Sequence, residues 1–290
     1  MAGKILITGA TGATGTEVVK ALAARGADVV VGVRSPEKAK ALEGPTVRPV
    51  ELDHARPETY ERAFEGAERV FLLTPFSGDS VEIGKRMIDS AKAAGARHIV
   101  KLSALGAENE PGIQLGRWHR EVEKYLEASG VAWTHLRPNS FMQNFIHYFG
   151  GSIKPEGKIY LPFGQGKVSW IDTRDIGEVA AAILAGDAAA HAGKAYDLTG
   201  PAAIGVDEVA AAIGRALGKE VTYVDIPEKV ALEGLLSYGA PEWMANAMME
   251  LHAMNKAGHA AVVNDLVEKI GGKKPFDIDR FARDNVQAWS

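Results

Sequence analysis

The sequence predicts an α/β fold: a Rossmann-type, doubly wound parallel sheet followed by a smaller, mainly helical C-terminal part. Three observations carry this. Short apolar runs alternate with amphipathic helical stretches through the first half of the chain. The chain opens on a strand, a glycine-rich turn and a helix. Its 290 residues, 46% of them hydrophobic, suffice for one large core with an appendage.

The opening stretch organises the rest. It reads Ile5-Leu6-Ile7-Thr8-Gly9-Ala10-Thr11-Gly12-Ala13-Thr14-Gly15, then Glu17-Val18-Val19-Lys20-Ala21-Leu22 in helical pattern. Free backbone N–H groups and the helix dipole both favour an anion at such a helix start. The glycines at 9, 12 and 15 suit a tight turn, close approach to a pyrophosphate and close helix–strand packing. Gly9, Thr11, Gly12, Ala13, Thr14 and Gly15 are therefore expected to hold a dinucleotide. The competing reading is a strand–helix turn that binds nothing.

The second strand, Asp28 through Arg34, ends in Arg34 and is followed by Ser35, with Lys38 in the next turn. An acidic residue at this place would select NAD by bonding the ribose 2′-OH. A guanidinium suits a 2′-phosphate instead, so NADP(H) is expected over NAD(H); the alternative is an ordinary surface arginine. A third strand over 47–53 brings Asp53 and His54 to the sheet's carboxyl edge, on the adenine side. Asp53 equally suits a turn or a helix start, because Pro57-Glu58-Thr59-Tyr60 opens a helix. The fourth strand is expected over 68–76, with Leu73, Thr74 and Pro75 lining the ribose and nicotinamide side. A helix over 81–94 leads to a fifth strand, His98-Ile99-Val100-Lys101-Leu102-Ser103, and Ser103 stands at its carboxyl end. A polar stretch, 107–116, precedes a helix that begins at Trp118-His119-Arg120. The sixth strand over 131–138 leads into Asn139-Ser140-Phe141-Met142-Gln143-Asn144-Phe145 at the same edge.

In the C-terminal third, 157–168 reads as a loop or hairpin and 168–172 as a short strand. Asp172 and Asp175 read as helix-entry groups for the helix over 176–184. Further strands are expected over 195–198 and 220–224, with a helix from Val206 to Leu217 between them. Residues 227–257 read as two helices broken at Gly239-Ala240-Pro241, rich in Met and aromatics, which suits core packing or a lid over a flat ligand. The last helix, 278–289, is expected to dock on the body. Residues 1–150 thus form the dinucleotide-binding core. Residues 151–290 form a mixed part that returns to the core sheet and covers the substrate.

Composition limits the partners. A net charge of −4 without a long Lys/Arg cluster argues against a nucleic-acid surface. The chain has no cysteine, so disulfides, thiolate catalysis and Cys-metal sites are excluded. Its eight histidines show no metal-binding spacing, and no metal is expected. No apolar run approaches membrane-span length, and Met1-Ala2-Gly3-Lys4 leads straight into a strand. A soluble, cytoplasmic protein, in the form of a possible homodimer, is the expectation.

Thr8-Gly9-Ala10-Thr11-Gly12-Ala13-Thr14-Gly15, Val33-Arg34-Ser35, Leu52-Asp53 and Leu136-Arg137-Pro138-Asn139-Ser140-Phe141-Met142-Gln143-Asn144 together resemble the NmrA-like branch of the atypical short-chain dehydrogenase/reductases. Asp172-Thr173-Arg174-Asp175-Ile176 and Tyr196-Asp197-Leu198-Thr199-Gly200-Pro201 extend the resemblance over nearly the whole chain. Order and spacing are most similar to NADPH:quinone reductases and triphenylmethane-dye reductases. Ordinary members of the wider superfamily carry Tyr-x-x-x-Lys on the helix after strand five. Here His119 and Glu123 stand in those places, and Tyr125 is followed by Ser129 at the Lys position. The resemblance therefore implies hydride transfer to a planar electrophile that needs little acid help, such as a quinone or cationic dye. The second reading it admits is a non-catalytic NAD(P)-sensing regulator that binds a partner protein, and the third an isomerase or reductase acting on plant- or alkaloid-type molecules. His119 titrates in a range suited to donating a proton, or it is a helix-face residue bonded to Glu123. Asn139 suits orienting cofactor or substrate, or capping the following turn. Phe76, Phe141, Met142, Phe145 and Trp243 are the expected substrate wall.

Overall fold

The fold is described from a computed structural model that covers residues 3–290, without the side chain of Lys38; Met1 and Ala2 lie outside it. The elements follow in order: β1 (Ile5–Ile7), α1 (Ala13–Ala23), β2 (Val29–Val33), β3 (Val47–Glu51), α2 (Thr59–Phe64), β4 (Arg69–Leu72), α3 (Ser80–Ala93), β5 (His98–Leu102), α4 (Gln114–Ala128) and β6 (Ala132–Pro138). Then come α5 (Asn144–His147), α6 (Gly150–Glu156), β7 (Lys158–Leu161), α7 (Thr173–Ala185), β8 (Lys194–Leu198), α8 (Val206–Leu217), β9 (Thr222–Asp225), α9 (Glu228–Ser237), α10 (Glu242–Lys256), α11 (Leu266–Gly271) and α12 (Ile278–Asp284).

Seven strands form one all-parallel sheet in the order β3-β2-β1-β4-β5-β6-β8. A parallel sheet is covered on both faces, so its strands read as unbroken apolar runs, and β1 and β2 are buried throughout. Successive side chains take opposite faces. Ile5 and Ile7 pack with Val18, Leu22, Ile176 and Val179 of α1 and α7. Leu6 points the other way, with Tyr60, Phe64, Met87, Val122 and Leu126 of α2, α3 and α4. The chain starts at the sheet's centre, winds to β3, then crosses back to β4. The switch point between β1 and β4 opens a crevice at the strands' carboxyl ends.

A third core, Met142, Phe145, Ile159, Trp170, Ile213, Phe281 and Trp289, holds the C-terminal part together. The strand β8 from this part joins the main sheet beside β6. The helical region breaks into α9 and α10 at the expected Gly239-Ala240-Pro241.

Four sequence expectations need correction. The fourth strand stops at Leu72, because Leu73 N donates to Thr8 Oγ1 (2.8 Å) and Pro75 has no N–H for a ladder. Within 157–168, residues 158–161 form the strand β7, paired in parallel with the distant β9. Residues 168–172 make no ladder, only single bridges of Val168 to Ile204 and Ile171 to Phe141. The last helix ends at Asp284 and continues as a short 3-10 turn. Docking of the terminus is by Trp289, whose indole N–H donates to Phe145 O (2.9 Å).

Candidate functional site

At the switch point, each glycine has its own steric reason. Gly9 has φ +63°, and a Cβ there would sit 2.8 Å from Leu73 Cδ2. A Cβ on Gly15 would collide with Gly9 O and lie 2.8 Å from Ala10 Cα, so α1 can press onto β1 only through glycine. Gly12 caps α1 in extended conformation, with no side chain bonding the helix start. Among the described residues, the N–H groups of Ala13, Thr14 and Gly15 have no protein acceptor. Thr11, Gly12 and Ala13 are exposed, while Thr14 and Gly15 are buried beneath them. Three unsatisfied donors at a dipole's positive end, in a turn with no side chain in the way, fit a phosphate or pyrophosphate. Thr8 holds the floor: its buried hydroxyl ties the end of β1 to Phe71 and Leu73.

Arg34, just past β2, is exposed and makes no hydrogen bond or ion pair among the described residues. Ser35 is less free, since its hydroxyl donates to Glu37 Oε2 (2.8 Å). The side chain of Lys38 falls outside the described residues. Asp53 folds back on its own turn: Oδ1 accepts from Ala55 N (3.1 Å) and Oδ2 from Arg56 Nε (3.3 Å). His54 Nδ1 meets Tyr60 Oη at 2.6 Å, and burial lowers its pKa.

Leu73 underlies Gly9, and Thr74 and Pro75 follow it half-buried. Phe76 is 47% exposed and meets Trp243 edge-on, centroids 5.5 Å apart. Trp243 also packs on Trp118 (5.4 Å), so α4 contributes an aromatic that sequence reasoning did not assign to the wall. The helix α10 is fastened there by Glu250 Oε2, which accepts from Gln114 N at the start of α4 (2.5 Å). Phe141 is partly buried where its loop bridges to Ile171. Met142 and Phe145, expected on the wall, are instead 1% and 0% exposed in the C-terminal core, where Phe145 packs on Trp170 (4.8 Å). The reason is local: their segment turns inward after β6.

Asn139, expected to orient a ligand, is fully committed. Its amide donates to Ser169 Oγ (2.7 Å) and Ala260 O (2.8 Å), and Oδ1 accepts from Ser140 N (2.8 Å). It ties the end of β6 to two loops of the C-terminal part and keeps no donor for a ligand.

A buried ionic network lies between β5, β6 and α4. Glu123, wholly buried, accepts two bonds from Arg137, Nε to Oε1 (2.9 Å) and a terminal nitrogen to Oε2 (2.7 Å), and a third from Arg120 (2.9 Å). Burial opposes its charge, yet the Arg137 bonds hold the carboxyl down to about 2. Arg120 also binds Glu127 (2.5 Å), which meets His135 Nε2 at 3.2 Å. The ligand-type atoms of Glu123, Glu127 and His135 lie within 4.8 Å of one another, but arginines already occupy both carboxylates. His119 does not bond Glu123 as one reading expected. Its Nδ1 meets Lys101 Nζ at 3.1 Å. Burial, then the Lys101 charge, push the imidazole down to about 3, outside the range expected for a cationic proton donor. The Ser103 hydroxyl is buried and finds no partner of hydrogen-bond geometry.

The model of the NmrA-like family aligns with residues 1–279. The chain belongs to the NmrA-like family. It is 38% identical to an NAD(P)H azoreductase of Xenophilus azovorans over 285 residues, covering 98% of this chain and 99% of that protein. It is 32% identical to quinone oxidoreductase 2 of Escherichia coli over 256 residues, covering 85% and 86%. The solved NADPH complex of the Escherichia coli quinone oxidoreductase superposes with TM-score 0.85 at 28% identity, over 96% of this chain and 98% of that one. Among the described residues of this family member, no helix is long and apolar enough to cross a membrane.

Proposed function

We propose that the chain is an NADPH-dependent reductase that delivers hydride to a planar electrophile, such as a quinone, azo compound or cationic dye. The observation that carries this is the set of three N–H groups without an acceptor among the described residues, in a glycine turn, with Arg34, exposed and unpaired among those same residues, at the end of the neighbouring strand. The N–H groups of Ala13, Thr14 and Gly15 would hold the pyrophosphate. Arg34 would take the 2′-phosphate, with Ser35 and Lys38 beside it; Asp53 and His54 would flank the adenine. Leu73, Thr74 and Pro75 would line the nicotinamide side. Reduced nicotinamide, when bound, supplies hydride, and the protein's task is orientation and exclusion of water. Phe76, Trp118 and Trp243 supply flat apolar surface for the acceptor beside that loop. The azoreductase and quinone oxidoreductase relatives support the substrate class.

The test is spectrophotometric NADPH oxidation against a panel of quinones, azo dyes and triphenylmethane dyes, repeated with NADH. Turnover with lower KM for NADPH is expected. Tight cofactor binding without turnover of any acceptor would overturn the reductase reading and direct the search to a protein partner.

A further inference from the structure

The geometry points to Lys101 as the proton reservoir of the reaction: its ammonium, acting through His119, replaces the proton that the imidazole gives to the reduced acceptor. The inference rests on the reductase reading above and makes Lys101 a positioning residue, not one that touches substrate.

The first argument is placement. Lys101 stands on β5 and is 0% exposed, on the same face as Ile99 and the apolar core beneath α4. Lysine is almost never fully buried unless paired, and here the pairing is unusual. Among the described residues its Nζ bonds only Leu102 O (3.1 Å) and His119 Nδ1 (3.1 Å), neither of which is an anion. Glu123 is near, but its two oxygens are already taken by Arg137 and Arg120. The network's charge is satisfied without Lys101, and a methionine would fill the space without a desolvated ammonium.

The second argument is the tautomer. An ammonium only donates, so His119 Nδ1 accepts and the ring proton sits on Nε2. Among the described residues Nε2 has no protein partner, and His119 is partly exposed. Its chain neighbour Trp118 belongs to the aromatic cluster with Trp243 and Phe76, so the open Nε2 edge lies on the helix that also carries part of the proposed acceptor wall.

The third argument is balance. A quinone takes up one hydride, from the reduced nicotinamide, and one proton. The oxygen that gains negative charge takes the proton from His119 Nε2, and Nδ1 takes one from Lys101 Nζ. Lysine is left as the neutral amine and histidine as the neutral Nδ1–H tautomer. Water then protonates Nε2, leaving hydroxide in the solvent, and the Nδ1 proton returns to the lysine amine. No cationic imidazole accumulates, which suits a ring that stays neutral.

The groups facing Lys101 set its pH range. Burial lowers it most; Glu123 of α4 opposes, while Arg137 of β6 lowers it further, leaving it at about 7. His119 of α4 and His135 of β6, both neutral, complete the surroundings. The ammonium is present below that pH and lost above it, so proton-requiring turnover falls as pH rises through about 7.

The test compares the unaltered protein with Lys101→Met, using a quinone and a triphenylmethane cation, each with NADPH. The cation becomes neutral on taking hydride alone, so it needs no proton and reports an intact, loaded fold. General acid help is typically worth roughly a hundredfold or more, and water substitutes in part, so the quinone-to-dye ratio of kcat is expected to fall ~10-fold in Lys101→Met. The alkaline fall of quinone kcat should vanish with it. A readout independent of turnover is the nitrogen NMR of the His119 ring: Nε2–H in the unaltered protein, a mixture of tautomers in Lys101→Met. An unchanged quinone-to-dye ratio, or an Nδ1–H ring in the unaltered protein, overturns the relay alone. Failure of the unaltered protein to reduce any acceptor overturns the reductase reading and the relay together.

Discussion

The two faces of the central sheet are held by opposite means. Toward α1 and α7 the contact is apolar and glycine-close, with Ile5, Ile7, Val18, Ile176 and Val179 sealed together. A Cβ on Gly177 would come within 2.8 Å of the Glu17 backbone, so these two helices also meet through glycine. Toward α4, an apolar layer gives way at the carboxyl end to Lys101, Glu123, His135 and Arg137, all buried. The first face fixes a helix start and can hold an anion with backbone alone. The second holds charges in place, and only such a face can keep a proton in reserve. On the proposed reading, cofactor geometry and proton supply fall on different sides of one sheet.

The largest expected effect comes from breaking the ionic face. In Glu123→Gln, Arg137 loses its bidentate carboxylate in a buried setting, a change that costs about 3–5 kcal/mol when one partner of a buried pair is removed. Chemical denaturation should show that loss near neutral pH. The pH dependence has a definite sign. The Glu123 carboxyl is depressed in the fold from 4.5 to about 2, so its stabilisation is full above about 4.5 and is lost as pH falls toward 2. Glu123→Gln should lack this acid-side decline, and an identical decline in both proteins would dissociate Glu123 from it.

The glycine face should break next. Gly15→Ala forces a methyl against the backbone of Gly9 and Ala10, which cannot yield like a side-chain tip. Overpacking of this kind costs about 1–3 kcal/mol, and the tilt of α1 should also weaken NADPH binding. Gly12→Ala sharpens the contrast: its Cβ would meet nothing closer than Gly9 O at 3.4 Å, so thermal stability should hold while NADPH affinity falls. Equal losses of stability in the two variants would contradict the assigned division between packing and ligand approach.

The first face was legible in the sequence because its information is local. Strand, turn and helix follow one another within residues 5–23, and each glycine's role can be inferred from spacing. The second face was not, because Lys101, His119, Glu123 and Arg137 meet only through the crossover of β5, α4 and β6. A signal was present: charged residues inside strands that should be buried on both faces, Lys101 in Ile99-Val100-Lys101-Leu102 and Arg137 beside Leu136, demand buried partners. The same limit explains Met142 and Phe145. Aromatic and Met side chains after a strand suit a ligand wall or a core equally, and only the third core decides between them. Trp118 was read as part of a helix, and its role depends on α10, which lies more than a hundred residues away.

A smaller effect tests the anion end of the cradle. Arg34 has no hydrogen-bond or ion-pair partner among the described residues, so Arg34→Ala should leave the melting temperature unchanged. If it faces the 2′-phosphate, the Kd for NADPH should rise ~10-fold, about 1.4 kcal/mol, with that for NADH unmoved. A parallel rise for both cofactors would assign Arg34 to the pyrophosphate or to the fold.

The smallest expected effect lies at the proposed acceptor wall. Phe76 is nearly half exposed and holds its place through one edge-on contact with Trp243. Such a contact is worth about 0.5–1.5 kcal/mol, so Phe76→Ala should raise the acceptor KM by ~2–10-fold and leave the NADPH Kd alone. Because Trp118 precedes His119 on α4 and also packs on Trp243, loosening this cluster should also disturb the proposed proton donor. The rise in KM should then be joined by a modest fall in quinone kcat, with no matching fall for a dye cation. A change in KM alone, equal for both acceptors, would show that the aromatic wall only binds and that the imidazole keeps its position without it.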